Sequence, residues 1–490
     1  MSKHRRVEYG TLALVVLIYV LLGGLYAALT PDWQIPDEPA HYNYVSYLVR
    51  ERRLPVLSIG DYDQAYLSEI TSRRFDPVLS IEPIRYEFHQ PPLYYALAAP
   101  LYVVFRGALL PLRLFSVALG AALLVVAYRA GKILFPHQAW PALGLVAFMA
   151  FIPQHITMTA GVENDVLAEL ILAIVLMRLV RWLEAEEPAS YRQLAVTGVW
   201  IGLGLLTKMS VYIAVPLAGI AWWLRFRPWG HRDGRARAAL TSLVALLLPA
   251  LALGLPWFVR NAVVYGGLDV AGLGQHGRVV MGQMRTTEWI AENGWQKLPG
   301  AFLRTTFHSF WAQFGWMAVP IDGRIYTALG VLCGLVLLGV FLRLVDVWEQ
   351  RRQWRKSVLL LACSALMTLA TYLWYNLSFY QAQGRYLFSA LVPLGLAWSI
   401  GLREILRRDN ALWIGLIMAL VTVVGGVRWL MKTCADTWRV LASGVGTGFL
   451  GARLILPEWA LDGLFALPFL LLAFLSAISP FRFIVPYLSP

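Results

Sequence analysis

Apolar residues recur along this chain in blocks near 20 long, separated by shorter polar segments in which Arg and Lys concentrate. A helix of about 20 residues, rising 1.5 Å per residue, crosses roughly 30 Å of hydrocarbon. The blocks fall at 10–30, 109–129, 139–158, 165–182, 194–209, 211–225, 238–258, 325–343, 357–376, 386–403, 411–428 and 461–479. They predict about twelve transmembrane helices. Residues 91–106, PPLYYALAAPLYVVFR, are apolar too, but the run is about 15 residues long and Pro100 interrupts it, so an interfacial helix is expected there.

Charge orients these segments. With 91–106 not spanning, one side receives Lys3, Arg5 and Arg6, then Arg129 and Lys132, then Arg225, Arg227, Arg232, Arg235 and Arg237, then Arg343, Arg351, Arg352, Arg355 and Lys356, and finally Arg403, Arg407 and Arg408. Short loops rich in Lys and Arg stay in the cytoplasm. The expectation is therefore an all-α polytopic protein of the cytoplasmic (plasma) membrane, one membrane domain over 1–490, with its N-terminus cytoplasmic. Two long segments, 31–108 and 259–324, then face the periplasm or exterior, together with 159–164, 376–385 and 429–460. The run Thr11–Thr30 is expected to be a first membrane helix rather than a cleaved signal, because it is long for a signal core and lacks a small-residue cleavage site.

Composition agrees. Hydrophobic residues are 58% and charged residues 14% of 490, against about 25% charged in soluble domains, which excludes an ordinary water-soluble enzyme. The net charge of +13 sits in the inter-helix clusters, so nucleic acid is not an expected partner. Cys333 and Cys363 lie in apolar runs and Cys434 stands alone, leaving no disulfide framework. No phosphate-binding glycine loop, GxSxG or HExxH occurs, so ATP-driven transport, serine hydrolysis and zinc proteolysis lack support, and no nucleotide cofactor is expected.

Residues 31–106 carry ten acidic and seven basic residues among many tyrosines. The stretch His41–Arg53 suits a short surface helix with Tyr44, Tyr47 and Leu48 on one face. Just before it stands Pro36-Asp37-Glu38-Pro39, two carboxylates stiffened by prolines where the first helix emerges. Such a placement suits a general base; the competing reading is an N-cap, with Asp37 opening the helix and Glu38 complementing its dipole. A second acidic group, Glu163-Asn164-Asp165, precedes another apolar run, and Asp165 and Glu169 share a helical face. Here the alternative is a hydrated helix start. Asp37, Glu38 and Asp165 together offer oxygen ligands for Mg²⁺ or Mn²⁺ if they converge. Lys208 and Arg385 are lone cations in stretches otherwise short of charge, suited to an anionic lipid phosphate. His89, beside Gln90-Pro91-Pro92, fits a metal ligand, a proton carrier, a hydrogen-bond donor to phosphate or a packed structural histidine. The run Phe307–Trp316 reads as an interfacial belt or re-entrant helix, with substrate contact a further option.

The order of these features resembles a known family. A first span, an outward Asp-Glu, a PPLYY element, an Arg-led second span, an Asn-Asp pair after the third span and Leu-Thr-Lys after the fifth are similar to the membrane-embedded GT-C glycosyltransferases, in particular the protein O-mannosyltransferases and the lipid A aminoarabinose transferases. Gly384-Arg385-Tyr386-Leu387-Phe388 and the Phe310–Trp316 motif resemble a further prokaryotic branch. The resemblance implies transfer of a sugar from a polyprenyl-phosphate-linked donor, with inversion, on the outer membrane face. By position Asp37 matches the family's catalytic aspartate, Glu38 its acidic neighbour and Asp165 the second outer-loop acid, tied to metal or donor phosphate.

Glu163 and His89 are expected beside Asp165 at the metal or donor phosphate. Lys208, Arg385 and Gln90 are expected on the phosphate, and His41, Tyr42, Tyr94 and Trp311 on the substrates. Gln90 stands where the aminoarabinose transferase pattern has lysine, which moves the phosphate anchor towards Lys208 and Arg385. The expected activity is thus an inverting hexosyl- or pentosyltransferase acting on a lipid, glycan or protein acceptor. A transporter or flippase of a lipid-linked sugar, or a non-catalytic subunit that binds one, are the alternatives.

Overall fold

The computed structural model describes residues 3–226, 233–350, 355–431 and 437–489. Arg227, Arg232, Arg351, Arg352 and Cys434 lie outside the described residues, as do the side chains of Lys3 and Arg235. The helices in chain order are α1 (Lys3–Leu29), α2 (Glu38–Glu51), α3 (Gln64–Ser72), α4 (Leu93–Val104), α5 (Leu109–Leu134), α6 (Trp140–Ala150), α7 (Pro153–Thr159), α8 (Asp165–Glu184), α9 (Tyr191–Leu205), α10 (Ala214–Phe226) and α11 (Asp233–Tyr265). They continue with α12 (Leu273–Val279), α13 (Thr286–Asn293), α14 (Leu298–Trp311), α15 (Gly323–Glu349), α16 (Lys356–Ser378), α17 (Leu391–Ile405), α18 (Arg408–Leu430), α19 (Thr437–Ile455), α20 (Leu461–Ser479) and α21 (Val485–Leu488).

Among the described residues, nine helical segments are long and apolar enough to cross a membrane, and a tenth forms if the bent pair α6 and α7 counts as one. The chain is an integral membrane protein. Three of the twelve expected spans therefore differ from simple crossing helices. The block at 139–158 is broken by 69° between α6 and α7, because Pro153 cannot donate into the α6 ladder and starts a new helix at its own first position. The block at 165–182 is helical as α8, but its charges, Asp165, Glu169, Arg178 and Arg181, take it below the apolarity of a lipid-facing span. It is instead largely enclosed in the bundle, packed on α5, α9, α10 and α16. The block at 194–209 becomes the short α9 followed by a 3₁₀ turn at Met209–Ile213. Residues 91–106 form α4, about 18 Å long by its 12 residues, too short to cross. The segment 429–460 contains a further helix, α19, lying along α15 and α18.

Close helix crossings rest on small residues, as in other membrane bundles. Gly198 and Gly202 face the α11 backbone at Leu246 and Ala250, and Gly339 on α15 meets Gly401 on α17, so a Cβ at any of these would push two helices apart. The lipid-facing helices are less enclosed: α18 leaves Trp413, Leu416, Ile417 and Leu420 exposed.

The stretch expected as a surface helix at 41–53 is α2, from Glu38 to Glu51. It is less superficial than its pattern implies, since Tyr44 is fully buried and stacks on Tyr95 of α4 at 3.7 Å between centroids. The aromatic run 307–316 is neither a belt nor one re-entrant helix. Its helix, α14, stops at Trp311, and Gln313–Phe314 then pairs antiparallel with Val319–Pro320 as a small hairpin. Gly315, Trp316 and Met317 turn it, all at positive φ.

Candidate active site

The connection after α1 sets the site. Asp37 occupies the residue before α2 with φ 67°, and its side chain makes no capping bond. An ordinary N-cap residue has extended backbone and turns its oxygen back to the helix; the left-handed backbone here turns the Asp37 carboxylate away from it. Oδ1 accepts from the Tyr86 hydroxyl at 2.6 Å, and Oδ2 is paired with the Arg385 guanidinium. Asp37 and Arg385 sit in the wall of a cavity of about 220 Å³. Further lining comes from Tyr86 and Glu87, from His276 of α12, from Trp316 of the hairpin, and from Tyr375 and Gln383. The cavity thus lies where the first loop, the second loop and the turn before α17 meet.

Glu38, although adjacent, does not reach this cavity. It is fully buried and held bidentately by Arg113 of α5, with Nε to Oε1 at 2.8 Å and Nη2 to Oε2 at 2.6 Å. Arg113 also donates to the carbonyls of Ala27, Thr30 and Pro31, and the Val162 amide donates to Glu38. Two neighbouring acids have therefore separated: one fastens α1, α2, α5 and the 160s together, and the other faces the cavity. The charge-helix-dipole reading of Glu38 is replaced by this ion pair.

The second acidic group lies behind Arg385. Glu163 is 1% exposed, not hydrated, and meets His41 Nε2 at 3.1 Å, Lys208 Nζ at 3.4 Å and Arg385 Nη1 at 3.9 Å. Asp165 pairs with Lys208 at 2.7 Å. Burial alone would raise the Glu163 carboxyl, but the charges of His41 and Lys208 hold it well below the usual carboxylate range. Burial likewise opposes a charge on His41, and the Glu163 carboxylate outweighs it and raises the imidazole above 6.5. His41 Nδ1 completes the arrangement against the Tyr95 hydroxyl at 2.8 Å.

A chain of alternating charge thus runs from Asp37 through Arg385 and Glu163 to Lys208 and Asp165. Within it the guanidinium of Arg385 is nearly enclosed, yet among the described residues its Nε and Nη1 have no hydrogen-bond partner, and neither does Oε2 of Glu163. Buried unpaired donors on a charged group are costly, and an incoming anion satisfies them. Gly384 places this arginine. Its Cα packs directly against the α14 backbone at Thr306 and Phe310, where a Cβ has no room, and its amide donates to Ser309 at 2.7 Å.

Of the other residues expected at the site, Tyr42 donates to the Gly107 carbonyl at 2.7 Å, away from the cavity. Tyr94 is buried, sharing its hydroxyl with Ser116 and receiving the Glu163 amide, so it shapes the acidic turn from behind. Trp311 is 1% exposed in an aromatic cluster with Phe148, Phe310 and Trp398, and it is not among the residues that line the Asp37 cavity. His89 is packed on His276 with centroids 4.6 Å apart, and burial pushes it down to about 4. Gln90 is buried beside it, within 3.4 Å of the His89 ring, with its Oε1 unpartnered. Tyr86 and Glu87, which the sequence did not single out for the site, line the cavity, as do His276 and Tyr375; Trp316, the end of the aromatic run for which substrate contact was one option, lines it too. The first two stand three and two residues before the singled-out His89, so their proximity was the available signal.

The donor set does not suit a divalent cation. Asp37, Glu38, Glu163 and Asp165 each already face a cationic side chain, and among the described residues no group of three His, Cys, Asp or Glu side chains is arranged to hold a metal ion. A Mg²⁺ or Mn²⁺ ion here would have to displace Arg385 or Lys208 from its carboxylates.

Comparison with known proteins agrees with this architecture. Residues 89–257 match the family of dolichyl-phosphate-mannose-protein mannosyltransferases. No curated protein matches the sequence. Among solved structures, ArnT from Cupriavidus metallidurans bound to undecaprenyl phosphate is similar with a TM-score of 0.50 at 15% identity, over 96% of this chain and 78% of that one. The Archaeoglobus fulgidus oligosaccharyltransferase tethered to an acceptor peptide is similar with a TM-score of 0.51 at 12% identity, over 94% of this chain and 55% of that one. The chain therefore spans little more than half the length of that archaeal relative. Its fold is that of the GT-C glycosyltransferases, and it resembles them in sequence over 89–257.

Proposed function

We propose that the chain is an inverting glycosyltransferase that takes a sugar from a polyprenyl-phosphate-linked donor and passes it to a lipid, glycan or protein hydroxyl, or amine, on the outer face of the membrane. The observation that carries the reading is the Asp37 carboxylate, freed from capping and held by Tyr86 and Arg385 in the cavity wall. The fold and the match over 89–257 support the reaction class, and the bound undecaprenyl phosphate of ArnT supports the donor class. The basic clusters at the opposite helix ends support an outward-facing cavity.

In the resting site Arg385 neutralises Asp37. A donor phosphate arriving at the unpaired Nε and Nη1 of Arg385 shares that cation and loosens its hold on the Asp37 carboxylate. Its carboxylate takes the proton of the acceptor group as the acceptor oxygen or nitrogen bonds to the anomeric carbon. The bond from that carbon to the phosphate oxygen breaks on the opposite face, and polyprenyl phosphate leaves. Negative charge grows on the phosphate as it departs, and Arg385, backed by Lys208, is placed to stabilise it. Glu163 and Asp165 hold those two cations, and Glu38 fixes the scaffold from which Asp37 projects.

No metal takes part in this scheme, because Arg385 and Lys208 occupy the carboxylates of Asp37, Glu163 and Asp165. Transfer is expected to continue in excess chelator. Sugar transfer by the purified protein in nanodiscs, with a panel of polyprenyl-phosphate sugars and mixed acceptors, tests the proposal: donor binding without transfer to any acceptor would favour a non-catalytic subunit, and absence of donor binding would favour a transporter.

A further inference from the structure

A second cavity lies at the other end of the bundle. It encloses about 690 Å³ between the start of α1 and the ends of α5 and α8. On α5, Arg113 stands beside Glu38 near the first site, and Lys132 lines this cavity. The 19 helical steps from one to the other span roughly 28 Å, about one hydrocarbon thickness. The two cavities therefore open at opposite membrane faces, this one among the Arg and Lys clusters.

Four cations line it, Arg5, Arg129, Lys132 and Arg181, against one acid, Glu8. Glu8 is already compensated, since Lys132 meets it at 2.8 Å and the Tyr128 hydroxyl donates to it at 2.6 Å. Arg129 and Arg181 are exposed, and among the described residues neither guanidinium has a carboxylate or hydrogen-bond partner. Leu12, Val125 and Ile133 supply an apolar wall, and Tyr9 stacks edge-on against Tyr128 at 6.3 Å. Isolated arginines at helix ends commonly extend to headgroups without forming a site. Here they converge instead on one concave space with an apolar wall and an aromatic corner, of a size that suits a small ligand.

We propose that this cavity binds the headgroup of an anionic phospholipid from the cytoplasmic leaflet, with its phosphodiester on Arg129 and Arg181 and its glycerol and first acyl carbons against Leu12, Val125 and Ile133. The charge is complementary, because that leaflet is rich in anionic lipid and basic pockets between helices on that side capture such headgroups. The apolar wall selects a lipid over a free anion. Bound there, the lipid ties α1 to α5 and α8, the three helices whose other ends build the acidic site.

The test is native mass spectrometry of the full-length protein in detergent, supplied with phosphatidylglycerol or phosphatidylcholine of the same chain length. The wild type is expected to retain phosphatidylglycerol at least tenfold better than phosphatidylcholine, and the Arg129→Gln/Arg181→Gln variant to lose that preference while melting at the same temperature in phosphatidylcholine. Both positions are exposed; if the double variant does not fold, the single variants Arg129→Gln and Arg181→Gln are each expected to weaken the preference. Equal retention of the two lipids, or an unchanged preference in the variants, would overturn the proposal. Displacement of phosphatidylglycerol by millimolar inorganic phosphate would also overturn it, assigning the cavity to a small free anion. No sugar transfer is read, so the outcome is independent of the proposed enzymatic activity.

Discussion

Asp37 and Glu38 are adjacent in sequence and opposite in consequence. Glu38 is fully buried on Arg113, and removing one partner of such a pair strands the other charge, at a cost of about 3–5 kcal/mol. Glu38→Gln is therefore expected to lower the melting temperature more than Asp37→Asn, because Asp37 is partly exposed and its partner Arg385 still faces Glu163 and the cavity; scanning fluorimetry in one detergent compares the two. His41 gives a pH signature. Its folded-state pKa is raised above 6.5, so its contribution to stability is fully present below about pH 6.5 and is lost as pH rises through the folded value. The gap in melting temperature between wild type and His41→Gln should narrow as pH rises above 6.5, and a gap that widens would contradict the pair with Glu163. At this scale Lys208 and Arg385 stood out as lone cations and Asp37 as half of a carboxylate pair stiffened by prolines, and the structure brings all three into one network. Tyr86 and Glu87 did not stand out, since a tyrosine or a glutamate near an interface has many uses and only the tertiary path turns these towards a cavity.

Elements explain why the pattern of hydrophobicity gave the helices and missed their breaks. Period and length located α1, α5, α11, α15, α16, α18 and α20, whose faces meet lipid. They were least informative for α8, where burial inside the bundle permits charged residues that a lipid-facing helix would exclude, and for the 139–158 block, where Pro153 redirects the chain by 69°. The short connections matter most for the site. Gly384 lets the segment before α17 lie on the α14 backbone, and a methyl group there meets Thr306 and Phe310. Gly384→Ala is expected to leave the helices intact while displacing Arg385, cutting turnover by about 10²-fold, the order that follows from a small misplacement of a positioning group. Unchanged turnover in a folded Gly384→Ala protein would show that the close approach does not position Arg385.

For the whole molecule, one bundle presents two chemically different ends. The acidic cavity alternates carboxylates with Arg385 and Lys208, and the opposite end gathers arginines around an apolar pocket. The loops that close the first cavity come from segments far apart in sequence, which is why its membership could be read only in part before the fold was known. Because Arg385 and Lys208 already pair with Asp37, Glu163 and Asp165, turnover in excess EDTA should match turnover with added Mg²⁺; a strict metal requirement would show that Arg385 or Lys208 yields its place during the reaction. The most direct measurement is sugar transfer by purified Asp37→Asn in nanodiscs, beside binding of the polyprenyl-phosphate donor to the same variant. A missing general base costs about 10²–10⁴-fold, so transfer should fall by that order, while donor binding should match or exceed the wild type because Arg385 has lost its competing carboxylate. Near-normal transfer by the folded variant would contradict the account at its centre.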